Sequence, residues 1–273
     1  MSISQVSISA AARQNLLALQ NTATLLNTTE KNLATGKKVN SALDDASSYF
    51  QSQGFLSSAN SLDNLKNSMS TSVQTLTAAS NAIDSVTSVV NQMQSLTTSA
   101  LQTADTTARQ SYASQFNALM TQLDGLVSDS TFNGINLLQG GTNNLVVNFD
   151  ATNATTLTVA TSNITSAGLL IISAGSNWST SADIDSQVSE LQTALTTLQS
   201  TSTSLGNNNT IVSTRLDFTT NMISTLQTAS DNLVLADTNA EGANMQALQA
   251  QSQLGVVALG ISGTQASAIL RLF

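Results

Sequence analysis

Proline, cysteine and histidine are all absent from this 273-residue chain. At an average usage of about 5%, proline would be expected roughly a dozen times. Its absence leaves long helices uninterrupted, because an interior proline costs about 3 kcal/mol. Without cysteine there are no disulfides and no thiolate metal sites. Without histidine the commonest metal ligand and the usual general base at neutral pH are missing. A zinc protease needs His-Glu-x-x-His, which this chain cannot supply. Aromatic residues are only 4% and charged residues only 9%. Ser, Thr, Asn, Gln and Ala fill most polar positions, so neighbouring copies could pack densely without desolvating many ions. The sequence therefore points away from an enzyme, with no catalytic residue, metal or cofactor expected, and towards self-association.

The formal net charge is −8. The basic residues are Arg13, Lys31, Lys37, Lys38, Lys66, Arg109, Arg215 and Arg271. They form no basic stripe, so a nucleic-acid partner is not expected. No run reaches the roughly 18 apolar residues of a membrane span, so membrane insertion is not expected either. The opening Met-Ser-Ile-Ser-Gln lacks a charged region followed by an apolar one. The expectation is export, if any, without a cleaved signal peptide.

What the chain does have is two apolar, helix-patterned ends, where termini normally stay polar and fray. Residues 1–35 carry Ile3, Val6, Leu16, Leu19, Leu26 and Leu33 among ten large apolar side chains. The last stretch carries Leu254, Ile261, Ile269 and Leu272. Between them, Leu62, Leu65, Met69, Val73, Leu76, Ala79, Ile83, Val86, Val90, Met93, Leu96 and Ala100 recur every three or four residues, the seam of a helix in a bundle or coiled coil. Tyr112, Phe116, Leu119, Leu123 and Leu126 predict a further helix, capped by Asp105. Around residue 130 the character changes. Leu145–Phe149, Thr156–Val159 and Leu169–Ile172 are short β-prone runs between Gly and Asn clusters. Past Trp178 the helical pattern resumes through Ile184, Leu191, Leu198, Val212, Ile223 and Leu233, with Ser181 or Asp183 as candidate cap.

The fold expected is mainly α: a long antiparallel helical bundle or coiled-coil rod formed by the N- and C-terminal segments, with a small β-hairpin insert in the middle. An ordinary globular helical bundle would explain the seams equally well. The ends favour the first reading. Burying the large apolar side chains of residues 1–35 returns less free energy than ordering that segment costs. Both ends should therefore fold only when other copies cover them. Gly255, Gly260 and Gly263 fit this picture, either by weakening the last helix or by allowing close helix contact.

Three motifs carry more information. Gly36-Lys-Lys-Val39-Asn-Ser41-Ala-Leu-Asp44-Asp45-Ala46 reads as a helix stop, a connector and a capped restart, with Ser41 and the two aspartates complementing a helix N-terminus. Phe132-Asn133-Gly134-Ile135-Asn136-Leu137-Leu138 reads as a turn requiring positive φ between apolar anchors. Ala236-Asp237-Thr-Asn239-Ala-Glu241 precedes the last helix. The first closely resembles the bacterial flagellin signature Gly-x-x-Ile-x-Ser-Ala-x-Asp-Asp-Ala, with Val39 for isoleucine. The second is similar to the Phe-Asn-Gly turn that opens the flagellin β region. The third is similar to the family's Ala-Asp-x-Ala-x-Glu, with Asn239 for alanine. All three occur in the family's order and span both ends.

The resemblance implies a structural filament subunit. Residues 1–35 and 237–273 would be inner-core helices, 36–138 and 181–236 the two parts of the helical rod domain, and 139–180 a short β-rich insert on the outer face. Implied partners are further copies of the chain and other flagellins, the flagellar cap and hook–filament junction proteins, the type III export apparatus and an export chaperone. The implied location is the extracellular flagellar filament. In relatives sensed by the Toll-like innate receptor, the second helix carries a stretch resembling Gln-Arg-Val-Arg-Glu-Leu. The matching positions here are Asn91, Gln92, Met93, Gln94, Ser95 and Leu96, which lack both arginines and the glutamate, so weak or absent recognition is implied. Rival readings are a hook–filament junction protein, which shares the two-ended plan, and, more remotely, a surface adhesin using Trp178.

Overall fold

The computed structural model describes residues 10–152 and 154–270. Five α-helices are formed by these residues: α1 (Ala10–Thr35), α2 (Ala46–Leu101), α3 (Thr106–Asp129), α4 (Ser181–Val234) and α5 (Thr238–Leu270). Strands β1 (Leu145–Asn148) and β2 (Thr156–Val159) form one antiparallel hairpin between α3 and α4. The protein is thus mainly α with a small β insert. The chain divides into two compact units, residues 59–224 and residues 1–58 with 225–273.

The unit of residues 59–224 holds the core. Met69, Leu76, Ile83, Val86, Val90 and Met93 of α2 are buried at three- and four-residue spacing. They cluster with Phe116, Leu123 and Val127 of α3 and with Ile184, Leu191, Leu198, Leu205 and Val212 of α4. Trp178 closes one end of this core, almost fully buried and edge-on to Phe116 at 5.2 Å. A ring so enclosed has no face to offer a sugar.

Caps set the helix boundaries. Asp105 accepts from the Thr107 N–H at 2.8 Å and starts α3 as expected. For α4 the cap is Thr180 rather than Ser181 or Asp183 alone. Thr180 Oγ1 accepts from the Asp183 N–H, and the Asp183 carboxylate accepts from the Thr180 N–H and hydroxyl, a reciprocal capping box. Thr180 holds the Asp183 carboxyl below the usual range. Ser181 is occupied elsewhere: its hydroxyl accepts from Arg109 Nη2 at 3.1 Å, while Arg109 Nε donates to the Ala100 and Thr103 carbonyls. Arg109 thereby ties the end of α2, the start of α3 and the start of α4 together.

The insert departs from expectation at one place. Leu169–Ile172 is not a strand. Its N–H groups are spent locally, Leu169 and Ile171 donating to the Thr165 and Ser166 carbonyls, and Ile172 donating to the Glu190 carboxylate. Leu170 takes a positive φ of 58°. The alternation of buried Leu169 and Ile171 with exposed Leu170 and Ile172 imitated a strand. Side chains of the helices fix the insert: Asp124 accepts from the Ser166 N–H and hydroxyl, Asn117 from the Ala174 N–H, and Arg215 lies over the Phe149 ring at 5.3 Å.

Candidate assembly surface

In the unit of residues 1–58 and 225–273, the first and third motifs meet. α1 stops at Gly36, whose φ of +68° is one that a side chain would disfavour. The chain then pairs with the end of α4 across an antiparallel bridge, Lys37 to Leu235. The Val234 carbonyl accepts from the Lys38 and Val39 N–H groups, and the Gly36 carbonyl accepts from the Ala236 N–H at 3.0 Å. Val39, in the isoleucine position of the signature, is buried. This is a short two-stranded clasp between the stretches that precede α2 and α5.

The acidic pair serves the backbone. Asp44 Oδ2 accepts from the Asn40 N–H at 3.0 Å, the Ser41 N–H at 2.9 Å and the Ser41 hydroxyl, and the carboxylate pairs with Lys31 at 3.2 Å. The Asn40 N–H and Lys31 hold its carboxyl below the ordinary value. Asp45 caps α2 by accepting from the Ser48 N–H and hydroxyl, which lower its pKa likewise. Ser41 therefore steadies Asp44 and does not itself cap the helix, a correction to the sequence reading. Asp237 caps α5 through the Asn239 and Ala240 N–H groups. Glu241, one turn on, accepts from Asn32 Nδ2 at 3.0 Å, and Asn32 is one of two buried polar residues of α1. Asn32 and Lys31 were not singled out from the sequence. Asn32 stands three residues after Thr29, on the face turned to α5, and that placement gives it away only once α5 is known to lie opposite.

Beyond the clasp, α1 packs against α5 along a heptad face. On α1 it runs through Ala12, Asn15, Leu19, Thr22, Leu26, Thr29 and Leu33. On α5 it runs through Glu241, Met245, Leu248, Ser252, Gly255, Leu259 and Ser262. Gly255 permits a close approach, since a Cβ there would lie 3.0 Å from Leu19 Cγ. A Cβ at Gly260 or Gly263 would meet no group of another element within 4 Å. The candidate core residues thus fall into two groups. Leu19, Leu26 and Leu33 are half-buried on the face towards α5, whereas Leu16, Leu254 and Ile261 are exposed, together with Leu17, Leu25, Val256 and Val257. Ile3, Val6 and Leu272 lie outside the described residues, as does the side chain of Ile269. Among the described residues, no apolar side chain of α1 or α5 is fully buried. Two helices laid side by side cannot enclose a core, and large apolar side chains stand on their outer faces as well as between them.

The remaining candidates lie in the unit of residues 59–224. Phe132 and Ile135 exchange both backbone hydrogen bonds at 2.9 Å, with Asn133 and Gly134 at positive φ between them. This two-residue turn is the geometry the Asn-Gly pair predicted. Asn136 then donates to the Val127 carbonyl at 2.7 Å, closing the end of α3. Gln92, Ser95 and Leu96 line an open groove between α2 and α3, and Gln94 is half-buried beside it.

Residues 3–143 match the family model described as the bacterial flagellin N-terminal helical region. The chain is 32% identical over 264 residues to flagellin FljO of Caulobacter vibrioides, covering 94% of this chain and 95% of the relative. It is 30% identical over 276 residues to flagellin FljK of the same organism, covering all of both. A crystal structure of Bacillus cereus flagellin is similar at a TM-score of 0.48 and 19% identity, over 57% of this chain and 88% of that one.

Proposed function

Because this chain belongs to the flagellin family, we propose that it is a non-enzymatic structural subunit that polymerises head-to-tail into the bacterial flagellar filament used for swimming. The observation that carries this reading is the state of the terminal helices. Leu16, Leu17, Leu25, Leu254, Val256, Val257 and Ile261 stand exposed on α1 and α5, and neither helix buries an apolar side chain fully among the described residues. Large apolar side chains left exposed on two neighbouring helices support reading them as an interaction surface. The two helices already meet each other, which supports a cover supplied from outside the chain. Other copies satisfy both helices at once, and a heterologous contact that does not close propagates as a helical polymer.

In this reading residues 1–35 and 237–273 form the inner core of the filament and become ordered on assembly. Residues 36–138 and 181–236 supply the surrounding helical layer, and 139–180 face outwards. The clasp between Gly36 and Ala236 supports a join of core and outer layer at that point of the sequence. The subunit leaves the cell without a cleaved signal peptide, through the flagellar type III export apparatus with an export chaperone. It adds between hook–filament junction and cap proteins, and other flagellins share the filament. Recognition by the Toll-like receptor is weak, because Gln92, Gln94 and Ser95 carry no charge where charge-assisted contacts would be needed. Electron microscopy of the purified chain after seeding tests the central point. Filaments that elongate in proportion to added subunit support it, and a chain that stays monomeric with intact seeds refutes it.

A further inference from the structure

The unit of residues 1–58 and 225–273 holds a cavity of about 200 Å³ beside the clasp, where the first turns of α2 pass the last turns of α4. Its walls include Asn40, Tyr49, Ser52, Gln53, Ser230 and Asp231. Val39 and Val234, joined by a clasp hydrogen bond, line it too. Ser52 and Ser230 are the most buried of its polar side chains, each only 1% exposed. Among the described residues, neither hydroxyl has a hydrogen-bond partner.

A buried helical hydroxyl can be spent on the carbonyl one turn back. Ser72 and Thr75 of α2 do this, donating to the Ser68 and Thr71 carbonyls at 2.9 and 3.0 Å. Ser52 on the same helix and Ser230 on α4 forgo that bond and line the cavity instead. A buried hydroxyl without a partner is costly, and native proteins meet such groups with ordered water. Dry cavities are apolar, whereas this one is walled by hydroxyls and amides, and at about 30 Å³ each it has room for about six waters. Lys37 and Asp231 stand exposed on the lining with opposite charge, so the walls favour neither an anion nor a cation. The serine and tyrosine hydroxyls and the two side-chain amides offer both donors and acceptors, which is water's own inventory.

We propose that this cavity is a structural water site, in which ordered water bridges Ser52 of α2 to Ser230 of α4. The water supplies the hydrogen bonds that the two hydroxyls lack within the chain. It couples the start of α2 to the end of α4 without a direct bond between their side chains. It also braces the clasp, because Val39 and Val234 form part of the same wall. The Lys38 and Val39 amides, which donate to the Val234 carbonyl at 2.8 and 3.3 Å, therefore report on the water site.

Amide exchange of the full chain tests the site with Ser52→Ala, Ser230→Ala and the double variant. Alanine is the better helix former, so any loosening cannot come from helix propensity. Each single variant should speed exchange of the Lys38 and Val39 amides about fivefold, as the loss of one net hydrogen bond implies. The double variant should fall at least threefold short of the product of the two single effects, because the same water serves both hydroxyls. In a crystal structure of the full chain, ordered water should lie within hydrogen-bond distance of both Ser52 Oγ and Ser230 Oγ. Exchange that is unchanged or slower in the single variants, effects that simply multiply, or hydroxyls turned onto the Ser48 and Leu226 carbonyls would each overturn the site. So would Lys38 and Val39 amides that exchange at the unfolded rate in the unmodified chain, since the cavity wall would then not stand. None of these results bears on filament assembly, which seeding tests separately.

Discussion

Replacing Arg109 by methionine should destabilise the unit of residues 59–224 by about 3 kcal/mol, although it deletes no core side chain. The guanidinium is almost fully buried and makes three hydrogen bonds: Nε to the Ala100 carbonyl at 3.1 Å, Nε to the Thr103 carbonyl at 2.8 Å, and Nη2 to Ser181 Oγ at 3.1 Å. Hydrogen bonds to a charged group contribute about 1.5–3 kcal/mol each. Methionine retains the alkyl packing, and the Ser181 hydroxyl can turn to water, so the loss is nearer two bonds' worth at the low end of that range than three at the high end. The two carbonyls sit at the C-terminal end of α2, where a cation is also favoured by the helix dipole. One kcal/mol moves the midpoint of a unit this size by about 2–4 °C, so the expected drop is about 6–12 °C. Lysine should recover only part of this, because a single ammonium cannot reproduce the guanidinium's fork of donors. The assay is the fluorescence of Trp178, the only tryptophan, buried within this same unit. A drop below about 2 °C for Arg109→Met would refute the argument.

Other consequences follow from the clasp and the terminal helices. Gly36→Val should cost about 1–2 kcal/mol by forcing a branched side chain to positive φ, read as faster protease cleavage near residue 36. A double-mutant cycle on Asn32→Ala and Glu241→Ala should return a coupling of about 0.5–1.5 kcal/mol in filament elongation, while additive effects would mean the 3.0 Å bond is idle. Asp44 and Asp45 have folded-state pKa values below their ordinary one. Their contribution is therefore present above about pH 4, the unfolded value, and is lost as pH falls through the depressed folded values. Amide exchange at Asn40 and Ser41 should report this loss, and Asp44→Asn should remove its pH dependence. Leu254→Ser or Ile261→Ser should each raise the critical concentration about tenfold, equivalent to about 1.4 kcal/mol of lost apolar burial, without moving the Trp178 midpoint.

Periodicity made the helices legible. The α2 seam from Met69 to Ala100 is buried at the spacing the sequence shows, and the Asn133-Gly134 pair specified its own turn. What misled was local alternation without a partner: Leu169 to Ile172 alternate like a strand, but their donors are taken by Thr165, Ser166 and Glu190. Caps were legible in type and less so in position. Thr180 won over Ser181 because Ser181 was already claimed by Arg109, 72 residues earlier, a contact that no local pattern records. The signature motifs pointed to the right stretch for a physical reason. A glycine at positive φ and carboxylates that accept backbone donors are demanding requirements that few other residues meet. The pairing of Asn32 with Glu241 spans 209 residues and only the fold reveals it. Which leucines of α1 face α5 and which face outwards was likewise hidden, since leucines stand on both faces of that helix.

Hydrogen exchange measured on the free chain and on seeded filaments tests most directly the claim that the terminal helices are completed by other copies. Amides of Ala10–Thr35 and Thr238–Leu270 should exchange quickly in the monomer, while those of the α2 and α4 core are protected, and should become as slow as the core once assembled. Terminal helices already as protected in the free chain as the α2 core, with no further slowing in filaments, would contradict it.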